Sequence, residues 1–318
     1  MLYRLLKLYA RFALKIYCPY LYINKPAFLK LKGPLLLAAN HPNSFLDGIL
    51  LTTLFERPVY SLARGDAFAP KWANYMLRHL QLLPVYRTSE GVENLEHNYT
   101  TFAACIEVFK KGCIVLIFSE GLCQNEWHLR PLRKGTARLA ITAWESNIPL
   151  RVLPVGFNYS SFKSFGKAVH ILFGSVFNKH IIEGCDTHGK QLLAFNAELQ
   201  QQLQPLVYEI DEGNKEKANT IFRPVVSTIK ITLLLLPAVI GFILHVPLFW
   251  LSKAITHFYF SDSGHYDSVL TSLLIVLYPI YLLLLIILLF QLVGWMALLL
   301  LIISPFTAWA FMQLKFTF

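Results

Sequence analysis

At 318 residues the chain is long enough for one large domain or two ordinary ones. Its hydrophobic content of 55% and its positive mean hydropathy argue against an ordinary cytosolic protein and favour a membrane protein. Residues 1–223 carry 26 of the 29 Lys and Arg side chains and 17 of the 19 Asp and Glu side chains, a net charge of +9. A basic region of this kind suits an anionic bilayer surface, or substrates that carry phosphate groups and thioesters.

Nucleic acid is the competing partner for a basic chain, but the sequence has no zinc-finger spacing, no aromatic RNA-binding motif and no dense Lys/Arg tract. We therefore expect no nucleic-acid partner. The five cysteines, Cys18, Cys105, Cys113, Cys123 and Cys185, are odd in number and include no C-x-x-C pair. Neither a disulfide framework nor a zinc site is expected, and no metal or organic cofactor is predicted.

The first predicted element is a helix within residues 1–22. Arg4, Lys7, Arg11 and Lys15 recur every three or four residues, so a helix gathers them on one side and leaves apolar residues on the other. Charges interrupt the apolar run and no small-residue cleavage site follows, which argues against a signal peptide. An amphipathic helix that lies on an anionic membrane surface is the favoured interpretation, and an ordinary core helix is the alternative.

Residues 30–180 alternate short apolar runs with helical patterns. The runs predicted to be strands are GPLLLAAN, PVYSLAR, GCIVLIFSEG and PLRVLPVGFNY, and those predicted to be helices are AFAPKWANYMLRHLQ, VENLEHNYTTFAACIEVFKKG and KGTARLAITAWESN. Nearly continuous apolar strands separated by helices indicate an α/β fold with a mainly parallel sheet flanked by helices. A further amphipathic segment at 184–222 is predicted to form one helix, or two that are broken at Pro205.

Three apolar runs follow, at about 231–251, 269–290 and 292–312. Each is long enough to cross a hydrocarbon layer of about 30 Å. Two or three transmembrane helices are therefore predicted. Arg223 and Lys230 flank the first run, and this positive charge predicts that the preceding domain faces the cytoplasm.

The predicted organisation has three parts. Residues 1–22 form the interfacial helix, 23–222 form a cytosol-facing α/β domain, and 223–318 form the membrane domain. The predicted location is an integral membrane protein with its catalytic domain on the cytoplasmic face.

The chemistry is concentrated in NHPNSFLDG, which follows the first predicted strand of the sheet. His41 and Asp47 are six residues apart, so on one unbroken helix they would point in different directions. Pro42 predicts a bend that brings Asp47 into the first turn of a new helix, where its carboxylate can bind one imidazole nitrogen. The other nitrogen can then act as a general base toward a hydroxyl group. A structural hydrogen bond from His41 is the alternative.

Three other strand ends carry candidate residues. Arg87 is the last residue of LLPVYR. The last three residues of IVLIFSEG are Ser119, Glu120 and Gly121, and Pro154 lies within RVLPVGFNY. Because ligands bind at the carboxyl edge of open parallel sheets, these residues are expected to gather there.

Together the four blocks resemble those of the glycerolipid acyltransferase family, which acylates glycerol-3-phosphate and 1-acylglycerol-3-phosphate. The resemblance spans residues 35–175 and depends on the order and spacing of the blocks. Two departures stand out. Five residues separate His41 from Asp47 where the family usually has four, a variant that resembles a subset including fungal-type glycerol-3-phosphate acyltransferases, and Ser119 replaces the usual proline of the third block.

The resemblance implies that His41 is the general base and Asp47 its orienting carboxylate. It also implies that Arg87 binds the acceptor, together with Ser119, Glu120 and Gly121 of the third block (FSEG, residues 118–121). Pro154 is implied to shape the acyl or acceptor site. Lys134, in LRKGTARLA, is a further candidate phosphate-binding residue, although a solvated helix start explains it almost as well.

The implied function is transfer of a fatty acyl group from acyl-CoA or acyl carrier protein to the hydroxyl of glycerol-3-phosphate or 1-acylglycerol-3-phosphate, in phospholipid biosynthesis. Two alternatives remain open at this stage. The acceptor could be another lysolipid or an amino-acid lipid, or the chain could be a non-enzymatic membrane protein that binds anionic lipids.

Overall fold

The computed structural model describes residues 2–86, 96–211 and 213–315. The helices are α1 Leu2–Tyr17, α2 Phe45–Leu54, α3 Lys71–His79, α4 Glu96–Lys110, α5 Lys134–Glu145, α6 His188–Leu203, α7 Lys215–Phe222, α8 Thr228–Phe260, α9 Tyr266–Val293 and α10 Leu300–Leu314. The strands are β1 Tyr20–Ile23, β2 Leu35–Ala39, β3 Val59–Arg64, β4 Leu82–Val85, β5 Ile114–Phe118, β6 Arg151–Tyr159 and β7 Ala168–Phe173.

The strands form one seven-stranded sheet in the order β1-β7-β6-β2-β5-β3-β4. Strand β2 is parallel to both β5 and β6, and β3 is parallel to both β4 and β5. The predicted α/β fold with a mainly parallel sheet is therefore confirmed. The five parallel strands end at a common carboxyl edge, and the candidate residues follow or occupy these strands.

By their contacts the described residues group into two compact units. The first lies within residues 1–7, 23–158 and 170–212, and the second within residues 8–22, 159–169 and 213–318. The division predicted at residues 22 and 222 stays a prediction.

The core of the first unit explains why its central strands are apolar at every position. Every residue of β2 is buried, and β5 is buried from Ile114 to Ile117. Helix α5 packs Trp144 near Phe195 of α6, with ring centroids 6.0 Å apart, and the Trp144 indole donates a hydrogen bond to the Leu150 carbonyl at 2.9 Å. Truncating a core residue such as Leu116 to Ala would cost about 2–5 kcal/mol.

Two helices, α6 and α7, are described within residues 184–222, which agrees with the prediction of two helices for this segment. Helix α6 ends at Leu203, and a 3-10 turn at Gln204–Leu206 contains Pro205. Proline has no backbone N–H to continue the helix, so the break follows from its chemistry.

The second unit contains the apolar helices. Among the described residues, two stretches are long and apolar enough to cross a membrane, Thr228–Phe260 and Tyr266–Leu314. The second stretch comprises α9, a 3-10 turn at Gly294–Leu299, and α10. Gly294 has φ +57°, a left-handed conformation that glycine adopts readily.

One group of polar side chains within this helical unit links α8, α9 and α10. His245 of α8 interacts with the Gly241 carbonyl at 2.7 Å and with the Ser304 hydroxyl of α10 at 3.1 Å. The Tyr278 hydroxyl of α9 is 2.9 Å from the same serine oxygen. In an apolar surrounding such bonds remove the cost of burying polar atoms, so this group holds three helices together.

Candidate active site

The loop between β2 and α2 bends as its sequence predicts. Strand β2 ends at Ala39, helix α2 begins at Phe45, and Asp47 lies in the first turn of that helix. Ser44, immediately before the helix, has φ +53°, which is uncommon for a residue other than glycine. The sharp turn at Ser44 lets the first helical turn point back toward His41.

His41 and Asp47 are in contact. The His41 Nδ1 atom lies 2.9 Å from Asp47 Oδ2, and the same carboxylate oxygen accepts a hydrogen bond from the Asn43 backbone N–H at 2.9 Å. The Asp47 side chain is completely buried, whereas 13% of the His41 side chain is exposed. The carboxylate therefore selects the tautomer protonated at Nδ1 and leaves Nε2 as the basic nitrogen.

The imidazole ring is also fixed from its face. It stacks on the Phe118 ring at the end of β5, with centroids 3.8 Å apart and an interplanar angle of 11°. The backbone of the same loop is held by the segment that follows β5: the Asn125 side chain donates to the Pro42 carbonyl at 2.7 Å, and the Gln124 N–H donates to the His41 carbonyl at 3.2 Å. A base held on several sides keeps its orientation without help from the substrate.

Glu120 lies beside this loop and binds backbone groups. One carboxylate oxygen accepts the His41 N–H at 2.8 Å, and the other accepts the Arg130 N–H at 3.1 Å. Burial raises the pKa of the Glu120 carboxyl to about 7; the two backbone hydrogen bonds oppose this shift, and the nearby charge of Asp47 adds to it. Glu120 thus connects the loop after β2 to the segment after β5.

The two neighbours of Glu120 in the third block have different environments. Ser119 is buried, its hydroxyl accepts a hydrogen bond from the Thr136 hydroxyl at 3.0 Å, and its N–H donates to the Ala39 carbonyl at 2.8 Å. Gly121 has φ +70°, and a Cβ atom there would lie 3.0 Å from Arg133 Cγ. The hydroxyl of Ser119 therefore ties the end of β5 to helix α5, and the backbone conformation at Gly121 favours glycine.

Pro154 and Lys134 lie on different elements. Pro154 is buried in β6, opposite Ala38 of the neighbouring strand β2, and its carbonyl accepts the Gly174 N–H at 3.0 Å. Lys134 is the exposed first residue of α5. Arg87, which the sequence places just after β4, lies outside the described residues.

Several residues that shape the site were not predicted from the sequence. Asn40 clamps β2 to β6, because its side chain donates to the Phe157 carbonyl at 3.1 Å and accepts the Phe157 N–H at 2.7 Å. The stacking of Phe118 on the His41 ring, and the hydrogen bonds from the His41 and Arg130 N–H groups to Glu120, were also not predicted. Phe118 is the first residue of the third block, FSEG at 118–121, and an aromatic residue at a strand end is a signal that could have identified its stacking role.

The described residues contain no group of three or more His, Cys, Asp and Glu side chains that could hold a metal ion. Asp267, which lies close in sequence to Asp262 and His265, forms an ion pair with Lys167 at 2.6 Å. None of the five cysteines, all of which lie in the described part of the chain, forms a disulfide bond.

Comparisons with known proteins identify a matching family and a similar solved structure. Residues 21–158 match the model of the Acyltransferase family. No curated protein matches. Among solved structures the chain is similar to the 1-acyl-sn-glycerophosphate (LPA) acyltransferase PlsC from Thermotoga maritima, with 13% identity and a TM-score of 0.45 over 70% of this chain and 81% of that chain. The family-model match shows that residues 21–158 are an acyltransferase domain, and this domain, with the blocks of the sequence, supports an O-acyltransferase of the glycerolipid acyltransferase type.

Proposed function

We propose that the protein is a membrane-bound acyltransferase that moves a fatty acyl group from a thioester donor, acyl-CoA or acyl carrier protein, to the hydroxyl of glycerol-3-phosphate or 1-acylglycerol-3-phosphate. The observation that carries this proposal is the 2.9 Å contact between His41 Nδ1 and Asp47 Oδ2, combined with an imidazole that is partly exposed. A membrane location is supported by the two long apolar stretches, and a cytoplasmic catalytic face by Arg223 and Lys230. The product places the enzyme in phospholipid biosynthesis.

In the proposed reaction His41 Nε2 removes the proton of the acceptor hydroxyl as its oxygen attacks the thioester carbonyl. Asp47 stabilises the imidazolium that forms. Collapse of the tetrahedral intermediate breaks the carbon–sulfur bond and completes the ester, and the departing thiolate takes the proton from the imidazolium. The products are an acylated glycerol phosphate and a free thiol, so no protein nucleophile and no cofactor are needed.

The remaining site residues have proposed roles in binding. Arg87 is assigned to the acceptor phosphate, because a planar guanidinium matches two phosphate oxygens. Lys134 is a second candidate for phosphate, since it lies at the start of α5 where the helix dipole also favours an anion. Glu120 and Gly121 are proposed to position the acceptor. Ser119 and Pro154 are proposed to shape the pocket from the strands.

The test is thiol release by the full chain reconstituted in vesicles. Acyl-CoA and acyl carrier protein thioesters are supplied in turn, with glycerol-3-phosphate, 1-acylglycerol-3-phosphate, other lysophospholipids and an amino-acid lipid as acceptors. We expect thiol release that requires one of the two glycerol phosphates. Release only with another lysophospholipid or with the amino-acid lipid would favour the alternative acceptor class.

Arg87→Ala tests the phosphate assignment. The acceptor KM is expected to rise by about tenfold or more, whereas the donor KM stays near the wild-type value, because only the acceptor phosphate loses its partner. The matched control is Arg151→Ala, since the Arg151 side chain donates to the Lys32 carbonyl at the opposite edge of the sheet. An unchanged acceptor KM in Arg87→Ala would contradict the assignment.

A further inference from the structure

Helix α3 presents its largest side chains to the outside. One side of the helix carries Trp72 and the residues three, four and seven positions after it, which are Tyr75, Met76 and His79. We call this side the α3 aromatic face. Trp72 is 74% exposed, Tyr75 65% and Met76 40%. The side that packs against the protein carries the small residue Ala73, which is buried. A helix that only filled a core would show the opposite arrangement.

The chemistry of the α3 aromatic face is that of residues found at membrane–water interfaces. Trp and Tyr combine a large apolar ring with a polar tip, which suits the headgroup layer of a bilayer. His79 packs against the Tyr75 ring, with centroids 4.1 Å apart, and thus stays on the same side. A continuous set of exposed aromatic residues on one side of a helix indicates an interaction surface, whereas single exposed apolar residues do not.

The charge of α3 identifies the partner. The helix reads KWANYMLRH, so it contains Lys71 and Arg78 and no acidic residue. Both basic side chains are exposed and border the aromatic residues. Exposed aromatic residues on a helix whose own Lys and Arg are its only charged residues are complementary to a layer of anionic lipid headgroups.

The position of α3 relates this surface to catalysis. Strand β3 ends at Arg64, and α3 begins at Lys71 after a short 3-10 turn. Strand β3 lies two places from β2 in a parallel part of the sheet, about 10 Å away at the usual strand spacing, and both strands end at the same edge. The first turn of α3 is therefore at the edge of the sheet that carries His41.

We propose that the α3 aromatic face inserts into the headgroup layer of an anionic bilayer and holds the catalytic edge of the sheet against the membrane surface that supplies the lipid acceptor. The second half of this proposal rests on the proposed function, and the first half does not. The occupant of the surface is thus lipid and not a second protein molecule.

The first experiment measures lipid contact in the full chain reconstituted in vesicles of phosphatidylcholine and phosphatidylglycerol. Some of the lipids carry bromine near the headgroup end of the acyl chain, which quenches only tryptophan close to it. The contribution of Trp72 is obtained as the difference between the wild type and Trp72→Phe. We expect this component to be quenched by the brominated lipid and shielded from aqueous iodide. Replacing phosphatidylglycerol by phosphatidylcholine is expected to reduce the quenching by roughly half or more, because the basic residues lose their partner.

The matched control is Leu193→Trp on helix α6. Leu193 is 68% exposed, about as much as Trp72, but the phenylalanine of its helix, Phe195, is buried. The added tryptophan is expected to be quenched by iodide and not by brominated lipid. Equal iodide quenching at both positions would overturn the proposal. Shielding of Trp72 that requires a high protein-to-lipid ratio, without lipid quenching, would show contact between two copies and would overturn it too.

The second experiment measures thiol release by a variant that combines Trp72→Ser and Tyr75→Ser. The KM for a long-chain acceptor within the bilayer is expected to rise roughly tenfold, while kcat and the KM for a short-chain, water-soluble acceptor stay within about twofold of wild type. Equal effects on both acceptors would contradict a membrane role. Absence of thiol release by the wild type with every acceptor would refute the proposed function but leave the quenching result intact.

Discussion

Two carboxylates of this protein are buried beside a basic side chain, yet their surroundings differ. Asp47 lies 2.9 Å from His41 at the edge of the sheet, and 13% of the histidine side chain is exposed. Asp267, in the first turn of α9, lies 2.6 Å from Lys167, and neither of these side chains has any exposed surface. Both pairs join an acid and a base, but a substrate can reach only the His41–Asp47 pair.

The surroundings of the Lys167–Asp267 pair explain why it is structural. The Lys167 ammonium also donates to the Ser161 carbonyl, and it lies 5.6 Å from the centroid of the Tyr17 ring. The Tyr17 hydroxyl donates to Asp267, and burial, followed by the charge of Asp267, raises the pKa of Tyr17 well above its usual value. These bonds tie the end of α1, the segment after β6 and the start of α9 into one buried group. The comparison therefore predicts that mutations in the first pair reduce catalysis and mutations in the second reduce stability.

His41→Ala is the sharpest test on the catalytic side. Loss of a general base is expected to reduce kcat by about 10²–10⁴-fold. The loss of stability is expected to be smaller than that caused by Asp267→Ala, because the buried Asp47 carboxylate keeps the hydrogen bond from the Asn43 N–H. Thiol release in vesicles and thermal unfolding in detergent measure the two quantities.

His170→Ala is the matched control for that variant. His170 is also partly exposed and lies 2.9 Å from the Tyr208 hydroxyl, but it is in the interior of β7. Its replacement is expected to leave kcat within about twofold of wild type. Near-normal turnover in His41→Ala would remove the basis for assigning the two pairs different roles.

Asp267→Ala tests the structural side. Removing one partner of a buried ion pair leaves an uncompensated charge on Lys167, which is expected to cost about 3–5 kcal/mol in the free energy of unfolding. Activity per folded molecule is expected to stay near the wild-type value. Denaturant unfolding in detergent, followed by tryptophan fluorescence, measures the loss.

Two further variants make that result specific. Asp262→Ala removes an exposed carboxylate close in sequence and is expected to change the free energy of unfolding by about 0.5 kcal/mol or less. Combining Asp267→Leu with Lys167→Met removes both charges and is expected to recover part of the stability. A double variant less stable than the sum of its single changes would show that the pair is not the source of the effect.

Asp47→Asn has a smaller expected effect, because the amide keeps the shape of the side chain and removes its charge. A hydrogen bond that involves a charged group contributes about 1.5–3 kcal/mol, so kcat is expected to fall by roughly 10–100-fold. The KM values are expected to change little, since Asp47 is buried beneath His41 and does not reach the substrate. If the change in the free energy of unfolding were as large as the change in the activation free energy, Asp47 would have a structural role like that of Asp267.

The sequence predicted the sheet better than it predicted these pairs. Strands β2 and β5 are apolar at every position because both of their faces are covered, and this pattern is directly visible in the sequence. The contact between His41 and Asp47 was also predictable, since the two residues are six apart and a proline marks the bend between them. Their catalytic roles stay predictions.

Contacts between residues far apart in the sequence were beyond prediction. Lys167 and Asp267 are separated by 100 positions, and nothing in the local pattern of either residue indicates the other. The bonds from Glu120 to two backbone N–H groups were missed for a related reason, because backbone donors leave no trace in the identity of the residues that carry them. The exposure of Trp72 was not predicted, because the sequence pattern was used to predict the helix but not which of its sides faces outward.

Glu120→Gln is expected to have the smallest effect, and one that depends on pH. The charged carboxylate accepts the N–H groups of His41 and Arg130, whereas a protonated carboxyl or a glutamine amide retains one good acceptor oxygen. The pKa of Glu120 is about 7, raised by burial and by Asp47 and lowered by Arg130, so the wild-type side chain is mostly neutral at pH 6 and mostly charged at pH 8. The variant is therefore expected to be about tenfold less active than wild type at pH 8 and nearly equal to it at pH 6.

As the pH rises, the wild type is expected to become more active than Glu120→Gln but less stable relative to it. Because the folded-state pKa of Glu120 is higher than the usual value of 4.5, the folded protein binds the proton more tightly than the unfolded chain does. The wild type therefore loses stability relative to Glu120→Gln as the pH rises from about 4.5 to 7. Rates and unfolding free energies of both proteins, measured between pH 5 and pH 8.5, test the two trends together. A constant ratio of rates would show that the charge of Glu120 does not hold the loop of His41, and that the site depends on Asp47 for its electrostatics.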